Sequence, residues 1–145
     1  MKNQYLIFSI GNRKLAINAE FVKEVFSLSR LTRIPIAPSF MPWVVNWQNS
    51  IIPVIDLSLF ISHRAKTVLE SHSSLIIQKH DFSSAFALVI DNIQGVSSND
   101  KLIIREDLIP YFAEGVIETK DKEQLWVIEP DKLTTFTVSQ FHTKL

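Results

Sequence analysis

Apolar residues along this chain come in short blocks separated by polar turns, and most blocks suit strands rather than helices. Tyr5-Leu6-Ile7-Phe8-Ser9-Ile10 is aromatic and β-branched, as strands prefer. Gly11-Asn12 turns the chain, and Lys14-Leu15-Ala16-Ile17-Asn18 alternates in part and can pair back as a hairpin. The period then changes. Phe21, Val22, Val25 and Phe26 fall at helical spacing, which predicts a short helical turn over 19–26 that relaxes into a strand. Trp43 to Trp47 and Ile51 to Ile55 read as two strands around Gln48-Asn49-Ser50. That is hairpin-turn chemistry, because Asn tolerates positive φ and Ser bonds back to its own backbone. Pro53 cannot donate to a ladder, so its strand is expected at an edge or with a bulge there.

Ser62 to Ser74 has little periodicity and reads as a long loop that could separate two subdomains. Leu75–Gln78 and Ala85–Ile90 resume as apolar strands around a turn at 79–84, and Asp91-Asn92 interrupts the second. Ser97-Ser98-Asn99-Asp100 reads as a polar turn, and Lys101–Arg105 as a further short strand. Gly115–Glu118 and Gln124–Ile128 flank the charged hairpin tip Thr119–Glu123. Pro130-Asp131-Lys132-Leu133 opens a candidate terminal helix. Proline favours a helix start, whereas the threonines at 134, 135 and 137 weaken one. Short strands with frequent turn signals mean an all-β sandwich or barrel.

The 145 residues make one domain, 1–145, with 46% apolar content and room for a sizeable core. Fifteen basic and fifteen acidic side chains cancel, which leaves no electrostatic footprint for nucleic acid or an anionic membrane. No apolar run approaches the length of a membrane span, and the opening run is too short for a signal peptide. There are no cysteines, so disulfides and thiolate sites are excluded. A soluble, cytoplasmic domain is expected.

Catalytic chemistry finds little support. His63, His72, His80 and His142 have no metal-ligand spacing and read as solvated loop histidines. Asp56 and Asp91 each follow an apolar strand, where a carboxylate usually accepts backbone bonds from a turn. No G-x-S-x-G raises a serine as nucleophile. Gly11, Gly95 and Gly115 lie too far apart for a phosphate-binding loop. No catalytic residue, metal site or cofactor is therefore expected. Trp43 and Trp47 are four positions apart, on one face of a regular strand, and are either core or a contact surface. Glu24 reads as an exposed charge.

The stretch Trp43-Val44-Val45-Asn46-Trp47-Gln48-Asn49-Ser50-Ile51-Ile52-Pro53-Val54-Ile55-Asp56-Leu57 resembles the hallmark hairpin of the CheW-like domain family, G-V-x-N-x-R-G-x-x-x-P-V-x-D-L. The asparagine, proline, valine, aspartate and leucine are in register. Trp43 and Asn49 replace the two glycines, and Gln48 replaces the arginine. Leu88 to Val96 is similar to the family's strand ending in V-D-x-V. Gly115-Val116 and Leu125–Ile128 resemble its last strand pair, and Asp131-Lys132-Leu133 its closing D-K-L. The resemblance implies an all-β fold of two small five-stranded SH3-like barrels packed together, with a junction near 62–74. It implies a non-catalytic adaptor that couples the cytoplasmic tip of a methyl-accepting chemoreceptor to the regulatory domain of a CheA-type histidine kinase. By that resemblance Val22, Glu24, Asn46, Trp47 and Gln48 would meet partners, while Pro53 and Asp56 would hold the hairpin in shape. Glutamine loses the charge and planar fork of arginine, and Trp43 puts a large ring where a small residue is usual. A divergent paralogue serving a pilus-type or other specialised pathway is the alternative. A small β-barrel binding a ligand or nucleic acid is a further one, and the zero net charge argues against the nucleic acid.

Overall fold

The computed structural model describes residues 3–35, 43–61, 72–79, 85–99, 102–104 and 109–144. The strands are β1 (Asn3–Ile10), β2 (Arg13–Asn18), β3 (Val22–Ser27), β4 (Thr32–Arg33), β5 (Trp43–Trp47), β6 (Ser50–Ile55), β7 (Ser73–Ile77), β8 (Phe86–Ile90), β9 (Asn92–Asn99), β10 (Ala113–Glu118) and β11 (Gln124–Ile128). The helices are α1 (Ser58–Ile61) and α2 (Pro130–Lys144), with a 3-10 turn at Ala19–Phe21. The strands form two sheets, in the orders β10-β11-β2-β1-β9 and β3-β7-β8-β6-β5-β4. These are the two SH3-like barrels of an all-β fold. The second sheet has six strands rather than five, because the two-residue β4 adds an edge beside β5.

The second barrel is nested inside the first. The chain leaves the first sheet after β2 and enters β3 through the 3-10 turn. It returns at Asp91, between β8 and β9. Both crossings are pinned by main-chain bonds: Gln78 N donates to Phe21 O at 2.9 Å and Asp91 N to Ser9 O at 2.8 Å. The junction expected near 62–74 lies mostly outside the described residues. The strands on either side of it, β6 and β7, belong to the same sheet.

Three cores follow from which face each strand covers. Phe8, Ile10, Leu15 and Ile17 of the first sheet meet Leu75, Ile77, Phe86, Leu88 and Ile90 of the second, in a core shared between the barrels. Val45, Trp47, Ile52, Val54, Ile76, Ala87 and Val89 fill the second barrel. Tyr5, Ala16, Ile117, Leu125 and Val127 fill the first. In β8 successive residues therefore alternate between the shared core and the barrel interior, and all five are buried. Two-sided burial explains why this strand reads as a continuous apolar run rather than an alternating one.

Several local expectations change. The segment 19–26 keeps its expected order, a 3-10 turn at Ala19–Phe21 relaxing into β3, but the strand takes most of it because β7 pairs with β3 along its length. Ser97–Asn99 does not turn but continues β9 against β1. Ile103 makes a single bridge to Val116, while residues 101 and 105 lie outside the described residues. The terminal helix forms despite its threonines. The Thr134 hydroxyl donates to Pro130 O and that of Thr137 to Thr134 O, so both are satisfied within the helix. Glu129 Oε2 accepts the Lys132 N–H at 2.8 Å and caps the helix start.

Candidate functional site

The hairpin of β5 and β6 closes on the pair Trp47–Ser50, so its loop is the two residues Gln48 and Asn49. Both have positive φ, 49° and 65°. That is the signature of the mirror-image turn whose twist matches paired strands. Ser50 thus belongs to the strand and not to the turn. Gln48 and Asn49 are exposed at the tip, and Asn46 faces outward opposite Ile51, which is 65% exposed.

Pro53 and Asp56 support this frame differently. β6 is an interior strand, between β5 and β8, and its register against β5 has no bulge. Counting alternate pairs from Trp47–Ser50 turns the Pro53 nitrogen away from β5. The partner on the other side, β8, joins only from Val54 onward, so proline removes no ladder bond. Asp56 is buried, and its Oδ1 accepts the Ser58 N–H at 2.9 Å and the Ser58 hydroxyl at 2.5 Å. It fixes the exit of β6 into α1.

Trp47 points inward to the second barrel's core, with Trp43 half-buried beside it and the Arg33 guanidinium 5.8 Å from the Trp43 ring. Both tryptophans therefore serve the core. The Trp47 indole N–H also donates to Glu24 Oε1. Glu24 lies on β3, which three strands separate from β5 in the sheet order, so this bond crosses the mouth of the curled sheet. A bulge puts Glu24 there. Val22 pairs with Ile77 and Glu24 with Ile76, which leaves Lys23 unopposed. Ile77 faces the shared core and Ile76 the barrel core. Residues two apart on a regular strand share a face; here Val22 and Glu24 do not. Val22 packs on the shared core, and Glu24 reaches Trp47 while remaining exposed.

Of the five expected contact residues, the fold joins Glu24 to Trp47 directly and sets Asn46 and Gln48 beside Trp47 on the hairpin. Val22 faces the other way. Sequence reasoning missed the indole bond, because the bulge that permits it leaves no mark in the residue pattern. It also missed a cleft of about 330 Å³ against the hairpin, lined by Trp47, Ser50, Ile51, Ile52, Pro53, Gln78 and Ala85. None of these side chains titrates near neutral pH, so the cleft mixes apolar and neutral polar surface and offers no acid or base.

The strongest ionic cluster lies elsewhere. Lys79, just past β7, reaches Glu129 Oε1 and, at 2.9 Å, Asp131 Oδ2. Its bond to Glu129 raises the Lys79 pKa. Burial, and then the charge of Glu129, raise that of Glu114. This set ties the second barrel to the start of α2. Asp91 has a structural role too: its carboxylate accepts the Gly11 N–H at 2.5 Å and lies 3.1 Å from His72 Nε2. His72 is thus paired rather than merely solvated. His63, His80 and the His142 side chain lie outside the described residues. Among the described residues no group of three or more His, Asp or Glu could hold a metal ion, and no helix is long and apolar enough to cross a membrane.

Comparison with known proteins agrees with this architecture. A family model described as the CheW-like domain matches residues 4–136. The chemotaxis protein CheW of Klebsiella aerogenes is 27% identical over 95 residues, 66% of this chain and 56% of that protein. This chain thus spans just over half the length of that relative. The chemotaxis protein CheW of Rhizobium meliloti is 22% identical over 136 residues, 90% of this chain and 86% of that one. The crystal structure of the scaffolding protein TtCheW from Thermoanaerobacter tengcongensis superposes with a TM-score of 0.77 at 23% identity, covering 89% of this chain and 90% of that one.

Proposed function

This chain belongs to the CheW-like domain family, and from that premise we propose that it is a non-catalytic adaptor of bacterial chemosensory signalling. It would couple the cytoplasmic tip of a methyl-accepting chemoreceptor to the regulatory domain of a CheA-type histidine kinase. The family match over residues 4–136 carries the reading. The geometry is compatible with it: a rigid hairpin displays Asn46, Gln48 and Ile51, and the cleft beside it is suited to binding rather than chemistry. In this reading the protein works in the cytoplasm and reaches membrane-associated arrays through its partners.

One of the three hairpin departures, Gln48, favours a second reading, a divergent paralogue with changed partners. Trp43 fills part of the second barrel's core, so its effect is internal. Gln48 is exposed at the tip, where losing an arginine removes a charge that a partner would meet. Affinity capture of the protein from its own cells, with mass spectrometry of what is recovered, tests the first reading. Recovery of a CheA-type kinase or a methyl-accepting receptor supports it. Recovery of neither, from cells that express both, overturns it and favours the second.

A further inference from the structure

The bond between Trp47 and Glu24 has features of a built contact rather than a core detail. Glu24 is exposed, yet its carboxylate is held by a side chain that is itself buried. The bulge at Lys23 turns it toward that side chain, and bulges commonly re-aim a residue in this way. The indole is a neutral donor with one N–H, so it engages Oε1 and leaves the charge uncancelled. Among the described residues Trp47 is the only recorded partner of Glu24. The contrast is Glu129, whose carboxylate is neutralised by Lys79. Gln48, the next residue along the hairpin, brings no cation either.

We propose that the Trp47 indole N–H is a positioning group that holds the Glu24 carboxylate as an anionic docking point for a lysine or arginine of the protein partner. An unrestrained glutamate gives up rotamer freedom when it is captured. Here that freedom is already lost in the unbound chain, so the contact is preorganised. The cationic side chain would take the carboxylate oxygen that the indole leaves open. This inference rests on the adaptor reading and names the chemistry by which that partner is recognised.

The test uses the full chain and two separate probes from the same organism: the regulatory domain of its CheA-type kinase and the cytoplasmic tip of its methyl-accepting receptor. Binding is measured for the native chain, Glu24→Gln, Trp47→Phe and the double variant. Glu24→Gln is expected to weaken binding to one probe about tenfold and to flatten its salt dependence. Trp47→Phe keeps an aromatic ring in the core but removes the N–H, and is expected to weaken the same binding roughly threefold. In the Glu24→Gln background Trp47→Phe should cost nothing further, which a purely structural tryptophan would not show. Native binding that either single variant leaves unchanged overturns this inference and spares the adaptor reading. So does a Trp47→Phe loss that persists in the double variant. A native chain that binds neither probe overturns the adaptor reading, and this inference with it.

Discussion

A single missing methyl group is legible at Gly115. A Cβ there would lie 2.4 Å from Ile103 O, inside the bridge between Ile103 and Val116. That contact is with backbone and cannot be relieved by a rotamer. Gly115→Ala is expected to destabilise the fold by about 2 kcal/mol and lower the melting temperature by about 6 °C in calorimetry. An unchanged melting temperature would show that segment 102–104 moves aside without cost. Glu24 shows the opposite limit of reading residues from sequence. Its exposure follows from the pattern, but its partner does not, since the bulge at Lys23 depends on how β7 aligns with β3. Asp56 and Asp91 were more readable. A carboxylate after an apolar strand usually accepts from a turn: Asp56 takes the N–H of Ser58 in the turn that follows its strand, whereas Asp91 takes that of Gly11, 80 residues away in the turn between β1 and β2, a partner that only the fold supplies.

At the level of elements, the hairpin shows how one unfavourable turn residue, Gln48, is tolerated beside a compatible one, Asn49. Gln48 and Asn49 both sit in the left-handed region, which asparagine tolerates better than glutamine. Gln48→Gly is therefore expected to raise the melting temperature by about 1–2 °C, since the relieved strain exceeds the added chain entropy by a small margin. A fall would mean that the glutamine side chain contributes contacts at the tip. The hairpin itself was visible because Asn, Pro and two apolar runs all pointed to it. α2 was only half visible. Pro130 marked its start, but its cap is a glutamate, and glutamate is not among the residues that announce a helix N-terminus. The 3-10 turn and β3 were both foreseen, but not the point where one gives way to the other, because a few apolar residues at helical spacing also fit a bulged strand.

For the whole molecule, the seam between barrels is where ionic groups matter. Lys79→Ala would leave Glu129, nearly buried, with only the Lys132 N–H. A loss of about 2 kcal/mol is expected, read as a fall of about 6 °C in melting temperature. Glu114 sets a pH dependence of known sign. Its pKa is raised above the ordinary 4.5, so the folded chain holds that proton more tightly than the unfolded one. Its contribution is complete below pH 4.5 and is lost as pH rises through the raised value. Glu114→Gln should thus leave melting unchanged in acid and raise it by about 1–2 °C at neutral pH. An equal gain at both would assign the effect to packing. The all-β class was readable from short strands and turns, but the nesting was not. Adjacent strands in sequence, β8 and β9, go to different sheets, and only the packing of distant segments decides that. Nesting also orders events on the ribosome. The chain is made from its N-terminus, so β1 and β2 emerge first and must wait for β9, β10 and β11 before their sheet is complete. The inner barrel's last strand, β8, is synthesised before any of these. Strands β1 and β2 are thus made early but completed late, and a nascent chain cut short after β8 carries their hairpin without the β9, β10 and β11 that complete its sheet.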